Sequence, residues 1–330
     1  MEKWELIALI ETLTPEQIAE VIRQAVQHSI MSGSGGRCPE PDIQVCPRIW
    51  RKREGRQRMR TIAIMNNKGG VGKTVTAVNV ADILVREHHK RVILADCDGQ
   101  MNASRLLVPD LLEALGAPDC YVTLRDLLTG DGEPYWRDNL LDVPGWDGLS
   151  VIPATPDLYT LDVDTVTASR PRTLHLGALR DFRNVVEADV ETDFLLFDCP
   201  PGFTSSSCAA LLAAEEVIIP VTIDGFSISG MVDLSRQIES MSRANAGIRI
   251  TGALITQWHK ADVVLEGEAA LRGMDIPVFE TVIRRTDKVA ESTIDRKPVW
   301  RYSPGSAAAQ DYRRWVREYL GEELGYGKDV

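Results

Sequence analysis

The stretch Thr61-Ile-Ala-Ile-Met-Asn-Asn-Lys-Gly-Gly-Val-Gly-Lys-Thr74 (TIAIMNNKGGVGKT) decides the fold. An apolar run at 61–66 reads as a buried strand, the glycines after it as a loop, and the residues from 73 onward as a helix. Glycines let the backbone wrap closely around an anion, so that successive N–H groups point inward. The helix start adds the positive end of its dipole. In such a loop Lys73 is placed to hold the β- and γ-phosphates of a nucleotide, and the Thr74 hydroxyl to bind Mg²⁺. The bland alternative, a chance glycine-rich turn, does not account for strand, loop and helix arriving in this order.

Outward from this stretch, runs at 91–96, 149–153, 193–198, 216–221, 250–256 and 276–283 are mostly apolar throughout. Strands of a parallel sheet covered on both faces have that pattern. Helical patterns lie between them at about 73–88, 173–189, 204–214, 227–244 and 262–273, with a last one near 306–320. The alternation predicts an α/β fold, a doubly wound and mostly parallel sheet. Residues 104–148, rich in Gly, Pro and Asp, read as a long insertion.

Three acids complete the candidate site. Asp198 ends the run FLLFD, where a Walker B carboxylate faces the metal through water. Asp96 and Asp98 end the run ILADCD, at the carboxyl edge where such sheets bind ligands. Each acid alone could be a turn former or helix cap. Three at the ends of neighbouring strands beside a phosphate loop are harder to set aside.

The chain has 330 residues, a net charge of −11, 44% apolar and 26% charged residues. That is enough for one large α/β domain and an appendage. Residues 1–36 read as a short helical N-terminal extension and linker, 37–60 as a basic linker segment, and 61–330 as the α/β domain that carries the phosphate loop. No apolar run reaches the roughly 18 residues of a membrane span. The start, MEKWE, lacks the features of a signal peptide, so a cytoplasmic location is expected. The six cysteines read as free thiols; Cys38 and Cys46 lack the further ligands a metal would need.

KGGVGKT (68–74), DCDGQ (96–100), IPATPDL (152–158), FDCPPG (197–202), EVIIPVTIDGF (216–226) and GALIT (252–256) fall in the order and context of ParA-like ATPases, and the chain resembles that family from about 60 to 320. Its loop begins Lys-Gly-Gly, the deviant form of the P-loop. VIRRTDKVAESTIDRKPVW (282–300) resembles the family's ribose- and adenine-side loop. The resemblance implies an ATP- and Mg²⁺-dependent switch of the P-loop NTPase type. Nucleotide contacts would come from Lys68, Gly69, Gly70, Val71, Gly72, Lys73, Thr74, Val75 and Arg285. Lys68 matches the signature lysine that reaches the phosphates of an opposing subunit, which implies a homodimer sandwiching ATP. Asp98 matches the aspartate that orients the attacking water. Asp96 matches the one nearer the magnesium shell, with Thr74 and Asp198 beside it. The sequence departs from the family at Gly99, where proline is usual, and at Arg284 and Thr286, where proline and asparagine are usual.

Three classes share this core. A partition switch binds nonspecific double-stranded DNA as an ATP dimer and is stimulated by a ParB-like partner. A MinD-like switch cycles on a membrane or positions proteins, and a metabolic enzyme uses the same fold for chemistry. For DNA, whose phosphates call for clustered lysines and arginines, the resemblance implies Lys288, on a position where ParA-like proteins carry a DNA-contacting basic residue, and Lys260, next to another. Arg284, Arg285, Arg296, Lys297 and Arg301 lie nearby in sequence. Interleaved Asp287, Glu291 and Asp295 leave a salt-bridged surface as the alternative. The basic segment at 48–60 reads equally as a DNA grip or a solvated linker. A membrane switch calls for a basic amphipathic end; the stripe Tyr312, Trp315, Val316, Tyr319 reads instead as core.

Overall fold

The computed structural model describes residues 58–108, 111, 122–130, 140–167, 174–188 and 192–322. The expected helical extension at 1–36, the basic segment as far as residue 57, and Cys38 and Cys46 lie outside them. The glycine loop separates β1 (Arg60–Ile64) from α1 (Lys73–Arg86), as its sequence predicts. The other strands are β2 (Val92–Asp96), β3 (Leu141–Asp142), β4 (Leu149–Ile152), β5 (Phe194–Asp198), β6 (Glu216–Val221) and β7 (Arg249–Ile255). They form one sheet in the order β3-β4-β2-β5-β1-β6-β7. Every pairing is parallel except that of β3 with β4. This is the doubly wound, mostly parallel sheet that the sequence predicts. Central β2, β5 and β6 are buried at every position, because helices cover both faces.

The described helices after α1 are α2 (Asn102–Leu107), α3 (Leu124–Thr129), α4 (Leu158–Thr167), α5 (Ala178–Ala188), α6 (Ser205–Ala213), α7 (Ser227–Met241), α8 (Asp262–Arg272), α9 (Asp287–Ile294), α10 (Val299–Tyr302) and α11 (Ala307–Leu320). Among the described residues of the insertion expected over 104–148, α2 runs into its start, α3 falls within it, and β3 extends the sheet edge. A capping box between Thr123 and Asp126 starts α3. The aromatic stripe of α11 is core, with Tyr312, Trp315, Val316 and Tyr319 all buried. Trp315 meets Phe279 edge-on at 5.5 Å, and the Tyr312 hydroxyl lies 3.1 Å from Thr76 Oγ1 on α1.

Two expectations need correction. Residues 276–283 are not a strand, although they run beside β7. The Ala253 N–H donates to the Pro277 carbonyl, and the N–H groups of Phe279 and Ile283 donate to Ala253 and Ile255. Pro277 has no N–H to give. Side chains take other backbone groups: Arg272 donates to the Phe279 and Glu280 carbonyls, and Glu318 accepts from the Glu280 and Thr281 N–H groups. The pairing with β7 is therefore interrupted at 279–281 and does not run on as a regular ladder.

The end of the basic segment is neither linker nor free cationic surface. Arg58 pairs with Glu187 and Glu215. Arg60 already belongs to β1 and forms two 2.8 Å bonds to buried Glu216, with its guanidinium 4.0 Å from the Tyr319 ring centre.

Candidate functional site

The carboxyl ends of β1, β2, β5 and β6 bring the candidate residues together. Gly70 and Gly72 have φ of 75° and 86°, the left-handed region in which L side chains are strained. Gly72 is the residue before α1, and its carbonyl accepts the Thr76 N–H, so the loop passes directly into the helix. Neighbouring strand ends brace the loop. Asn66 accepts the Lys68 N–H and donates to the Pro220 carbonyl, while Thr256 and Gln257 donate to the carbonyls of Val71 and Gly70. Neither Thr256 nor Gln257 is visible as a site residue in the sequence, although GALIT ends on Thr256.

Lys73 is buried and donates to the Lys68 carbonyl at 2.8 Å. Burial lowers its pKa, opposed by the charges of Asp198 and Asp98 and by Cys199. Asp198 and Asp96 are register partners on β5 and β2. Neither carboxylate oxygen of Asp198 has a well-formed hydrogen bond. Burial and then the Asp96 charge push its pKa well above the ordinary range, while the Thr74 hydroxyl favours the ionised form. A buried carboxylate without partners is costly. A divalent cation or its water shell beside Thr74 would supply the missing charge and donors, so the residues present fit Mg²⁺.

Asp96 is differently employed. One oxygen accepts from the N–H and hydroxyl of Ser104 on α2 and the other from the Asp98 N–H. Burial raises its pKa to about 6 against these bonds. It fixes the loop that carries Asp98, and any metal contact has to share oxygens already in use. Asp98 itself accepts the Gln100 N–H at 2.9 Å and the Tyr159 hydroxyl at 3.3 Å on one oxygen.

Lys68 points elsewhere than Lys73. Its ammonium pairs with Asp224, in the loop after β6. Hydrogen bonding to Lys68 holds the Asp224 carboxyl below its usual range, and the Thr222 hydroxyl and Phe226 N–H add to it. Asp224 was missed because an acid after a strand reads as a turn former.

Arg285 lines a cleft of about 260 Å³ together with Lys68, Gly69, Gly70, Asp224 and Gln257. The departures beside it have structural explanations. Arg284 forms two side-chain bonds and one N–H bond to buried Asp311, tying the loop to α11. Thr286 is the N-cap of α9.

The DNA candidates separate. Lys260 is exposed and makes no ion pair among the described residues. Lys288 is exposed but pairs with Glu291, which also accepts from the Tyr302 hydroxyl. Arg301 lies against Trp146 and buried Asp82 and leaves the cationic set.

The family model described as "AAA domain" matches residues 59–250. The chain is 31% identical over 268 residues to the chromosome partitioning protein ParA of Caulobacter vibrioides (strain NA1000 / CB15N), covering 80% of this chain and 95% of that protein. It is 34% identical over 268 residues to the chromosome-partitioning ATPase Soj of Thermus thermophilus, covering 80% and 97%. Among solved structures, cobyrinic acid a,c-diamide synthase from Mycobacterium smegmatis with bound ADP and magnesium aligns with a TM-score of 0.58 and 25% identity, over 79% of this chain and 94% of that one.

Proposed function

Because the chain belongs to the ParA/Soj family of chromosome-partitioning ATPases, we propose that it is an ATP-driven dimerising switch that moves or positions DNA. The chain from Arg58 onward would form the switch domain, working in the cytoplasm and on the nucleoid when ATP is bound, with the residues before it as an appended segment. The braced glycine loop would receive the phosphates through the N–H groups of Gly69 to Val75, with Lys73 on the β- and γ-phosphates. Thr74 and Asp198 would hold Mg²⁺, with Asp96 behind them through water. The ion would neutralise phosphate charge. Arg285, on the cleft wall, would contact the nucleotide away from the phosphates.

The observation that carries the switch reading is the division between the two lysines. Lys73 is buried inside the loop, whereas the Lys68 side chain is 46% exposed and held by Asp224 at the rim. A lysine held outside its own phosphate site is available to a second copy. ATP would draw two chains face to face and move Lys68 from Asp224 to the partner's phosphates. Asp98 would then orient water for attack on the γ-phosphate, and hydrolysis would dissolve the pair. A ParB-like protein would accelerate that step. Lys260, together with Lys288 once released from Glu291, would meet DNA phosphates from both subunits.

Sedimentation velocity of Asp98→Ala with ATP–Mg²⁺ and with ADP–Mg²⁺ tests this reading. A dimer with ATP and a monomer with ADP is expected. A monomer in both, with ATP binding intact, would remove the sandwich.

A further inference from the structure

We propose that Tyr159 is a positioning residue that clamps Asp98 at rest, and that glycine at position 99 makes room for it. The proposal rests on the reading of Asp98 as the residue that orients water.

Tyr159 is the second residue of α4, and its side chain is 47% exposed. Its ring lies over the turn Asp98-Gly99-Gln100. A Cβ at position 99 would come within 3.0 Å of two ring carbons, closer than side-chain carbons normally approach. Any other residue at 99, including the proline usual in ParA-like chains, would require the ring to give by a few tenths of an ångström, away from a bond that is already long. The departure at Gly99 thus has a local partner.

Both sides of the turn are anchored. On α4, Leu158 is buried, and Asp162 accepts from the Ser205 N–H at the start of α6. One residue on, Ser206 donates to the Cys97 carbonyl at 2.8 Å. The same helix start therefore fixes the base of the aspartate loop and the helix carrying Tyr159. The Asp98 carboxylate is held by two donors on one oxygen, a backbone N–H that cannot leave and a phenol that can. Burial and then the Asp98 charge push the phenol's pKa up, so it keeps its proton and donates at neutral pH. At 3.3 Å the phenol's bond is long for O–H···O and suited to release.

Orienting water requires an acceptor lone pair at the right angle. While Tyr159 holds the carboxylate, that angle is set toward α4. The clamp therefore slows basal hydrolysis, and its exposed position lets a stimulating partner lift it.

The test is steady-state ATP hydrolysis by the full chain and by Tyr159→Phe, Gly99→Ala, the double variant and Asp98→Ala. Tyr159→Phe should raise kcat about three- to tenfold, the scale of one ordinary hydrogen bond, as the 3.3 Å length of this one warrants, with KM nearly unchanged. Gly99→Ala should act in the same direction by pushing the ring away, and the double variant should add nothing further. A Tyr159→Phe kcat equal to or below wild type, with Asp98→Ala inactive, overturns the clamp alone. Wild-type turnover in Asp98→Ala sinks the reading of Asp98, and the clamp with it.

Discussion

At position 72 the obstacle to substitution is the backbone. Nothing but Thr256 Cγ2, at 4.0 Å, approaches a Cβ built there, yet φ is 86°. A β-branched residue in that region is strained. Gly72→Val should therefore abolish ATP binding although the space is open, and Lys73→Ala should do so by losing the buried ammonium. Isothermal titration with ATP–Mg²⁺ checks both, and normal binding in either would displace the site. Asp224→Asn acts on a different step. The Lys68 pair is partly exposed, and such pairs contribute about 0.2–1 kcal/mol. Freeing Lys68 should lower the ATP concentration for half-maximal dimerisation by about two- to fivefold. A higher ATP requirement would mean that Asp224 assists the lysine instead of restraining it.

At the scale of elements, β1, β6, β7 and α11 meet at Glu216. This buried carboxylate takes Arg60, Tyr319 and Thr251. Burial alone would raise its pKa, but the bonds from Arg60 and Tyr319 and the charges of Arg60 and Arg249 outweigh it and hold the carboxyl below its usual range. A depressed carboxyl stabilises the fold above its unfolded pKa, and that contribution is lost as pH falls through the folded value. Glu216→Gln should cost about 1–3 kcal/mol near neutral pH, and the difference from wild type should shrink below about pH 4. Denaturant melts at the two pH values check it; a pH-independent difference would mean that packing, not charge, is what the substitution removes. Most of the sheet was legible because a strand covered on both faces must be apolar throughout, as VILAD and FLLFD are. The failure at 276–283 has the same root: IPVFETVI passes as a strand by composition, while side chains of Arg272 and Glu318, distant or unremarkable in sequence, take the backbone groups in its middle. The phosphate loop and the three acids were legible because their chemistry requires fixed residues at fixed places. Asp224 and Tyr159 were not, because a carboxylate held by a lysine 156 positions away and a phenol 61 positions from its acceptor leave no local pattern.

For the whole molecule, the proposed DNA binding has to bring an acidic chain onto an acidic polymer. The net charge of −11 opposes DNA binding by one copy through its overall field. In the proposed complex local cations would have to supply the contacts, and pairing two copies would double them. Lys260→Ala should weaken DNA binding and flatten its salt dependence, since each lost phosphate contact lowers the slope of log K against log salt by about 0.9. Lys288→Ala should do less, because Glu291 must first give up its pair. The most direct test of the central claim is fluorescence anisotropy of a random-sequence DNA duplex with the full chain across a salt series, with ATP–Mg²⁺ and with ADP–Mg²⁺. Binding with ATP that weakens steeply as salt rises, and none with ADP, is the predicted result. Equal binding in the two states, or none in either while ATP is hydrolysed, would contradict an ATP-gated DNA switch.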